Sequence, residues 1–290
     1  MIAGIFHRRN DMKRIRWLRA VLSFLLVCLI GWIVWENCSP IVTLVTIENE
    51  QIPDSFSGFR IALISDLHNA QYGENNEKLL AMLRQEDPDM IALVGDFVDS
   101  RRTDFDVSLH FAEQAITIAP IYYVMGNHEA RLTEEFPSFV QQLKDYGVTV
   151  LRNEEAYIRR NEQFIRIVGI DDPMTVTKKR SENEAVILHA LSKFDWESTP
   201  YTILLSHRPE QFDAYCQYHV DLALTGHNHG GLFRLPGIGG LYAGEQLFPL
   251  YDAGLFEKED TVMYLSRGAG NSSYTFRINN RPEIVILTLT

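Results

Sequence analysis

Five short motifs carry side chains of the kinds that bind metal ions: Asp66-Leu67-His68, Gly95-Asp96-Phe97-Val98-Asp99, Gly126-Asn127-His128-Glu129, Ser206-His207 and Gly226-His227-Asn228-His229. Carboxylate, carboxamide and imidazole together are the donor mixture that borderline divalent ions prefer. Each motif alone is ordinary. Asp-x-His is a common surface turn, Gly-Asn-His-Glu makes a good turn with no metal, and a lone His207 after a strand is more often a hydrogen-bonded structural histidine. What joins them is context. IALIS precedes Asp66, MIALV precedes Gly95, IYYVM precedes Gly126, YTILL precedes Ser206 and VDLALT precedes Gly226. Such runs predict buried strands, and the C-terminal ends of strands in an α/β sheet border a shared crevice. A set spread from residue 66 to residue 229 therefore reads as one site. Asp66 and His68, two apart on a strand end, are expected on the same side through the period of 2. A short extended turn is expected to present His227 and His229. Gly95 predicts a sharp turn that aims Asp96 into the crevice.

The elements that must hold these motifs alternate from residue 41 onward. IVTLVTIE and RIALIS read as strands, NNEKLLAMLRQE as a helix and DMIALVG as a strand. VSLHFAEQAITIA and EEFPSFVQQLKDYG read as helices around the strand IYYVM. After Gly147, VTVLR, AYIRR and FIRIVGI predict short strands closer to a meander. A helix over 182–193 and the strands YTILL, VDLALT, VMYLS and EIVILTL follow. Continuous apolar strands with helices between them predict a mixed sheet in a layered α/β domain. No repeat or linker divides residues 41–290.

The N-terminal segment is different. Residues 20–35, AVLSFLLVCLIGWIVW, carry no charge. With Trp17, Leu18 and a snorkelling Arg19 they have the length of a bilayer-crossing helix, with Trp17, Trp32 and Trp35 as interfacial anchors. The expected organisation is a basic tail (1–16), a transmembrane anchor (17–35), a connector (36–40) and one catalytic domain (41–290); the alternative is a cleaved signal peptide, against which stand the length of the apolar run and the lack of an A-x-A site after it. The chain's net charge is −11, and residues 1–19 hold six Arg or Lys against one Asp, so the remainder carries −16. The positive-inside rule places the N-terminus in the cytoplasm and the domain outside. So acidic a body argues against nucleic-acid binding, which needs a basic face. The three cysteines, 28, 38 and 216, include no CxxC pair.

Taken in order, D-x-H, G-D-x-x-D, G-N-H-E, H and G-H-x-H resemble the calcineurin-like metallophosphoesterase superfamily. Gly226 to Gly231, Ser266 to Asn271 and Asn279 to Glu283 further resemble its bacterial membrane-anchored or exported phosphodiesterase branch, which is UDP-2,3-diacylglucosamine pyrophosphatase-like. The resemblance covers residues 41 to 290. Asn228 departs from it, standing where the branch usually has Thr, at a position that is not a ligand.

The resemblance implies a four-layer α-β-β-α sandwich and two divalent ions (Mn, Fe, Zn or Ni) that activate a hydroxide for attack on phosphorus. Asp96 would reach both ions. Asp66, His68 and His229 would complete one site, and Asn127, His207 and His227 the other. His128 would face the substrate oxygens as a catalytic residue, with Asp99 and Glu129 orienting ligands. The implied function is membrane-anchored cleavage of phosphodiesters or pyrophosphates, small or lipid-linked, such as UDP-diacylglucosamine, at the bacterial cytoplasmic membrane. A phosphomonoesterase or protein phosphatase, and a non-catalytic scaffold, are the alternatives. Arg234, Arg267 and Arg281 are candidates for clamping phosphate, or are surface ion-pair partners. The apolar, glycine-rich residues 230–256 either face an acyl chain or bilayer, or pack under a long connection.

Overall fold

Strands that are apolar at every position must be covered on both faces, and the arrangement of this chain follows from that demand. The computed structural model describes residues 2–197, 200–243, 246–271 and 276–290, and of residues 2–13 the backbone alone. In the first half, α1 (Ile2–Asn37) leads into β1 (Ile41–Ile47), β2 (Arg60–Ile64), α2 (Glu77–Glu86), β3 (Met90–Val94), α3 (Phe105–Ala115), β4 (Ile121–Val124), α4 (Phe136–Asp145) and β5 (Thr149–Val150). There follow β6 (Glu154–Arg160), β7 (Gln163–Gly169), α5 (Asn183–Leu191), β8 (Thr202–Leu205), α6 (Phe212–Gln217) and β9 (Leu222–Thr225). Four two-residue strands, β10 (Arg234–Leu235), β11 (Gly239–Gly240), β12 (Tyr242–Ala243) and β13 (Gln246–Leu247), form two small hairpins. The chain ends with β14 (Gly254–Lys258), β15 (Thr261–Leu265) and β16 (Glu283–Leu289).

Two six-stranded sheets result, ordered β1-β16-β2-β3-β4-β5 and β14-β15-β9-β8-β7-β6. In the first, β2 to β5 run parallel, and β16 inserts between β1 and β2, parallel to β1 and antiparallel to β2. Alternation of side chains along each strand then divides the core into layers. Ala62, Ile64, Ile91 and Leu93 face α2, α3 and α4. Ile61, Leu63, Met90, Ala92 and Val94 face the second sheet, meeting Ile165, Ile167, Ile203, Leu205, Leu222 and Leu224. Val168, Leu204 and Ala223 point outward onto α5 and α6. The order is helix, sheet, sheet, helix, a mixed α/β fold of four layers. Each fully buried Leu or Ile here contributes roughly 1.5–3 kcal/mol relative to exposure.

One sequence expectation needs correction. The strands after Gly147 do not form a meander. β5 pairs parallel with β4 in the first sheet, β6 and β7 form an antiparallel hairpin in the second, and β7 continues parallel to β8. The chain changes sheets between Val150 and Glu154, because Leu151 belongs to the layer between the sheets. Periodicity reports that a strand exists, not which sheet it joins.

α1 is one unbroken 36-residue helix, about 54 Å long, and Pro40 lies two residues past its last turn and before β1. Its stretch Arg14–Asn37 is long and apolar enough to cross a bilayer. Trp17, Leu22, Phe24, Leu25, Val27 and Trp35 all stand exposed around it. A helix apolar on every side has no soluble face to offer water.

The sheets approach closely at Gly169, where a Cβ would lie 2.3 Å from Leu151 Cβ and 2.7 Å from Val124 Cγ1. Overpacking of this kind costs about 1–3 kcal/mol. Gly169→Ala is therefore expected to lower the melting temperature by roughly 2–10 °C in thermal unfolding. An unchanged melting temperature would mean that the sheets do not meet there.

Candidate active site

β2, β3 and β4 are parallel neighbours in one sheet, and β8 and β9 are parallel neighbours in the other. Their C-terminal ends carry the five motifs to one seam between the sheets. Crowding at this seam explains two glycines. Gly95 has φ +70°, and a Cβ on it would lie 2.5 Å from His207 Nδ1 and 2.8 Å from Gly126 Cα. A Cβ on Gly126 would lie 2.3 Å from Asp96 Oδ1. Without side chains at both positions, loops from the two sheets interleave.

The ligand loops are not extended, contrary to the sequence expectation. Asp66, His68, Asp96, His227 and His229 have φ of 52°, 48°, 52°, 77° and 47°, all left-handed. Asp and His tolerate this region better than most residues, at a cost of roughly 1–2 kcal/mol each. β2 has already ended at Ile64, and the neighbouring loop takes over: Asp66 N donates to Gly95 O and His68 N to Asp96 O, each at 3.0 Å. His229 opens a short 3-10 turn, His229–Gly231. The curled backbone, not a strand period, brings these side chains together.

Three groups of candidate ligands form among the described residues, Asp66, His68 and His229; Asp96, His207 and His227; and His68, Asp99 and His128, of which the first two hold the residues expected as ligands. His68 Nε2 and His229 Nε2 lie 3.2 Å apart, and His229 Nε2 is 3.3 Å from Asp66 Oδ1. Asp96 Oδ2 stands between the groups, 3.1 Å from His207 Nε2 and 3.7 Å from His68 Nε2. Asn127 belongs to the same seam, with its Oδ1 buried and without a hydrogen-bond partner.

These residues fit divalent cations on their own chemistry. His207 Nδ1 lies 3.0 Å from the Val94 carbonyl and donates to it, which leaves Nε2 facing two carboxylates, a position that a proton fills when no cation is there. That Nε2 is buried. Burial opposes the charge of Asp66, but His229 and His207 outweigh it and hold the carboxyl well below the usual range. Burial likewise opposes the Asp96 charge, and His207 and His128 reverse the effect. His207 is pushed up to about 10, against burial, by Asp96 and Asp66. The site is short of positive charge, and a cation coordinated by carboxylate and imidazole supplies it.

Glu129 holds this arrangement from behind. Its buried carboxylate accepts from Asp96 N and Gly126 N at Oε2 and from Val98 N at Oε1, each at 2.9 Å. Burial, then Asp96, pushes its pKa up to about 7. His128 N donates to Asp96 Oδ1 at 2.7 Å. Ser100 N donates to His128 Nδ1 at 3.0 Å, so in the neutral ring the proton sits on Nε2. Burial pulls the His128 pKa down to about 4. Asp99 lies 3.3 Å from His128 Nδ1 and accepts from Arg101 N. Asn228, the departure from the family pattern, is buried and donates to Tyr251 O at 2.7 Å.

The three arginines proposed from sequence are engaged elsewhere. Arg234 pairs with Asp252 at 3.0 Å, Arg267 with Glu283, and Arg281 donates to Ser39 O while lying 4.8 Å from the Trp35 ring centre. Two others reach the site instead. Arg208 is buried, forks onto Asp172 at 2.6 and 3.1 Å, and places Nη1 2.9 Å from His227 Nε2. Arg277, with no exposed surface, places Nη2 3.1 Å from His229 Nδ1. The only sequence signal for Arg208 was its position after His207, and for Arg277 its position between two runs shared with the family branch.

The loop that carries Arg277 is tied to the end of α1. Asn37 Oδ1 accepts from Arg277 N, Asn37 Nδ2 donates to Arg277 O, and Glu36 Oε2 accepts from Asn279 N, at 2.8 to 2.9 Å. A cavity of about 590 Å³ lined by Asn37, Cys38, Tyr72, Arg102 and Asn271 opens from the helix end to His68.

Residues 59–231, more than half of the chain, match the family model described as calcineurin-like phosphoesterase. The chain is 29% identical over 249 residues to phosphodiesterase YaeI of Escherichia coli, covering 81% of this chain and 84% of that one. It is 28% identical over 267 residues to a Danio rerio transmembrane protein with metallophosphoesterase domain, covering 86% of this chain but 57% of the relative, so it spans little more than half that protein's length. Among solved structures, TT1561 of Thermus thermophilus shares the fold, with TM-score 0.50 and 13% identity over 74% of this chain and 90% of that one.

The Glu129 clamp leads to a direct expectation. Glutamine would set an NH2 group where one carboxylate oxygen now accepts, so at least one main-chain donor would lose its partner. Glu129→Gln should weaken metal affinity by roughly 10–100-fold, read by titration against a competing chelator. Wild-type affinity in the variant would show that the clamp does not position ligands.

Proposed function

The chain belongs to the calcineurin-like phosphoesterase family, and on that premise we propose that it is a membrane-anchored hydrolase of phosphodiester or pyrophosphate bonds in lipid-linked substrates. Membership makes it a hydrolase of phosphoric esters that uses divalent metal ions. Held by Asp66, His68, Asp96, Asn127, His207, His227 and His229, such ions supply Lewis acidity toward a phosphoryl oxygen and a nucleophile at neutral pH. The chain's own residues do the rest. Asp96 stands between the two ligand groups, and Glu129 and the glycine-lined turns fix it there. His128 is held neutral by burial, with its proton on Nε2, and that N–H donates a hydrogen bond to a phosphoryl oxygen, stabilising the charge that develops there in the transition state. Its ring centre is 4.5 Å from that of His68, so it borders the reacting group.

The observation that carries the lipid-linked reading is the seating of α1. An apolar helix ends on the very loop whose Arg277 contacts His229, and an open cavity runs from that end to His68. A domain fixed so close to its anchor works at the bilayer surface. The hairpins after His229 support the same placement, with Leu235, Ile238, Leu247, Phe248 and Leu250 exposed. Of the two sequence readings for residues 230–256, this favours the one in which they face lipid. The basic N-terminal tail and the acidic stretch after the helix support a cytoplasmic N-terminus and an extracytoplasmic domain. The printed names of two relatives, a phosphodiesterase and a transmembrane protein, point the same way.

The full-length protein in membranes is expected to hydrolyse a lipid-linked phosphodiester or pyrophosphate faster than the same headgroup without acyl chains. Initial rates on matched pairs, with an aryl monophosphate as a third substrate, provide the check. Equal rates with and without acyl chains would remove the lipid substrate, and a strong monoester preference would replace the reaction class.

A further inference from the structure

A recess of about 260 Å³ adjoins the candidate ligands Asn127 and His227 and shares no lining residue with the cavity at the helix end. Its other lining residues are Arg131, Met174, Lys178, Arg180, Asn183 and Arg208. Four of the eight are cations, and none of those named is an acid. In a chain with 38 acidic and 27 basic residues, that local excess runs against the average. Elsewhere acids neutralise Arg234 and Arg267. Here Arg208 is shared with carboxylates, Asp172 and Glu210. Lys178 and Arg131 have no carboxylate within salt-bridge distance among the described residues, and Arg131 Nη2 meets only Met174 Sδ, at 3.9 Å. Asn183, buried, is the first residue of α5 and brings the positive end of that helix to the wall. A concave, cationic wall beside a phosphoryl-transfer centre attracts a further negative charge.

We infer that this recess receives a second anionic group of the substrate, such as the other phosphate of a pyrophosphate or a phosphate flanking a diester. The inference rests on the proposed phosphohydrolase reading and narrows its substrate class. Arg208, fixed by Asp172, forms the rigid floor of the recess and also contacts His227. Arg131 and Lys178 form the rim, and their guanidinium and ammonium groups close on the incoming oxygens. A diester between two neutral groups leaves this wall unused.

The test uses the full-length, metal-loaded protein and the double variant Arg131→Gln/Lys178→Gln, both changes being at exposed positions. Bis(p-nitrophenyl) phosphate and P1,P2-bis(p-nitrophenyl) pyrophosphate share their aryl groups and differ by one phosphate; hydrolysis releases p-nitrophenolate from the first and p-nitrophenyl phosphate from the second, each quantified by chromatography. The variant should raise KM for the pyrophosphate about tenfold more than it raises KM for the diester. It should also weaken inorganic pyrophosphate binding, measured by calorimetry, by a similar factor. Equal KM shifts on both substrates, or an unchanged pyrophosphate Kd, would overturn the recess assignment. If the wild type hydrolyses neither compound, the proposed reaction class fails, and the calorimetric Kd still decides whether the recess binds anions.

Discussion

Asp66 and Asp96 are buried carboxylates set in one seam between two sheets, and ionised groups in such a place cost several kcal/mol each unless they are compensated. The compensation here is layered. Main-chain donors reach them first, His227 N to Asp66 and His128 N to Asp96. Imidazoles come next, with ring nitrogens turned toward the same oxygens. The remaining demand is for cations. Much of the surrounding architecture serves this requirement. Five candidate ligands adopt left-handed backbone to aim inward, two glycines give up side chains so that loops can interleave, and Glu129 pins three main-chain N–H groups behind the ligands.

The same electrostatic logic divides the periphery. Where an arginine meets a glutamate or aspartate, as Arg267 meets Glu283 and Arg234 meets Asp252, it braces structure. Where rim cations face a cavity without acids, as Arg131 and Lys178 do, they are available to a substrate. Elsewhere, Asn37 and Glu36 bind the end of the apolar helix into the Arg277 loop. The apolar helix and the candidate active site are thus joined through a short chain of hydrogen bonds.

Much of this was legible in the sequence. Continuous apolar runs such as MIALV and YTILL report strands buried on both faces, and their order with intervening helices reports a layered α/β domain. The five motifs identify the seam because each follows such a run. The strand period failed at Asp66 and His68, since both lie past the end of β2, where hydrogen bonds from the Gly95–Asp96 loop set the backbone. Arg208 and Arg277 were missed for a related reason. Their roles depend on Asp172, His227 and His229 being nearby in space, and no spacing rule encodes that. Arg267 misled because Glu283, its partner, arrives from the last strand of the chain. The sheet change after Val150 was invisible because one leucine between two short strands looks the same in either sheet.

The central claim is that loops from both sheets form a single two-metal centre with Asp96 between the ions. Anomalous diffraction from metal-loaded crystals, together with metal analysis of the same protein, tests it most directly. The account predicts two ions per chain, about 3.5–4 Å apart, both within bonding distance of the Asp96 carboxylate, and loss of both in Asp96→Asn. A single ion, ions bound away from Asp96, or full metal content in Asp96→Asn would contradict it.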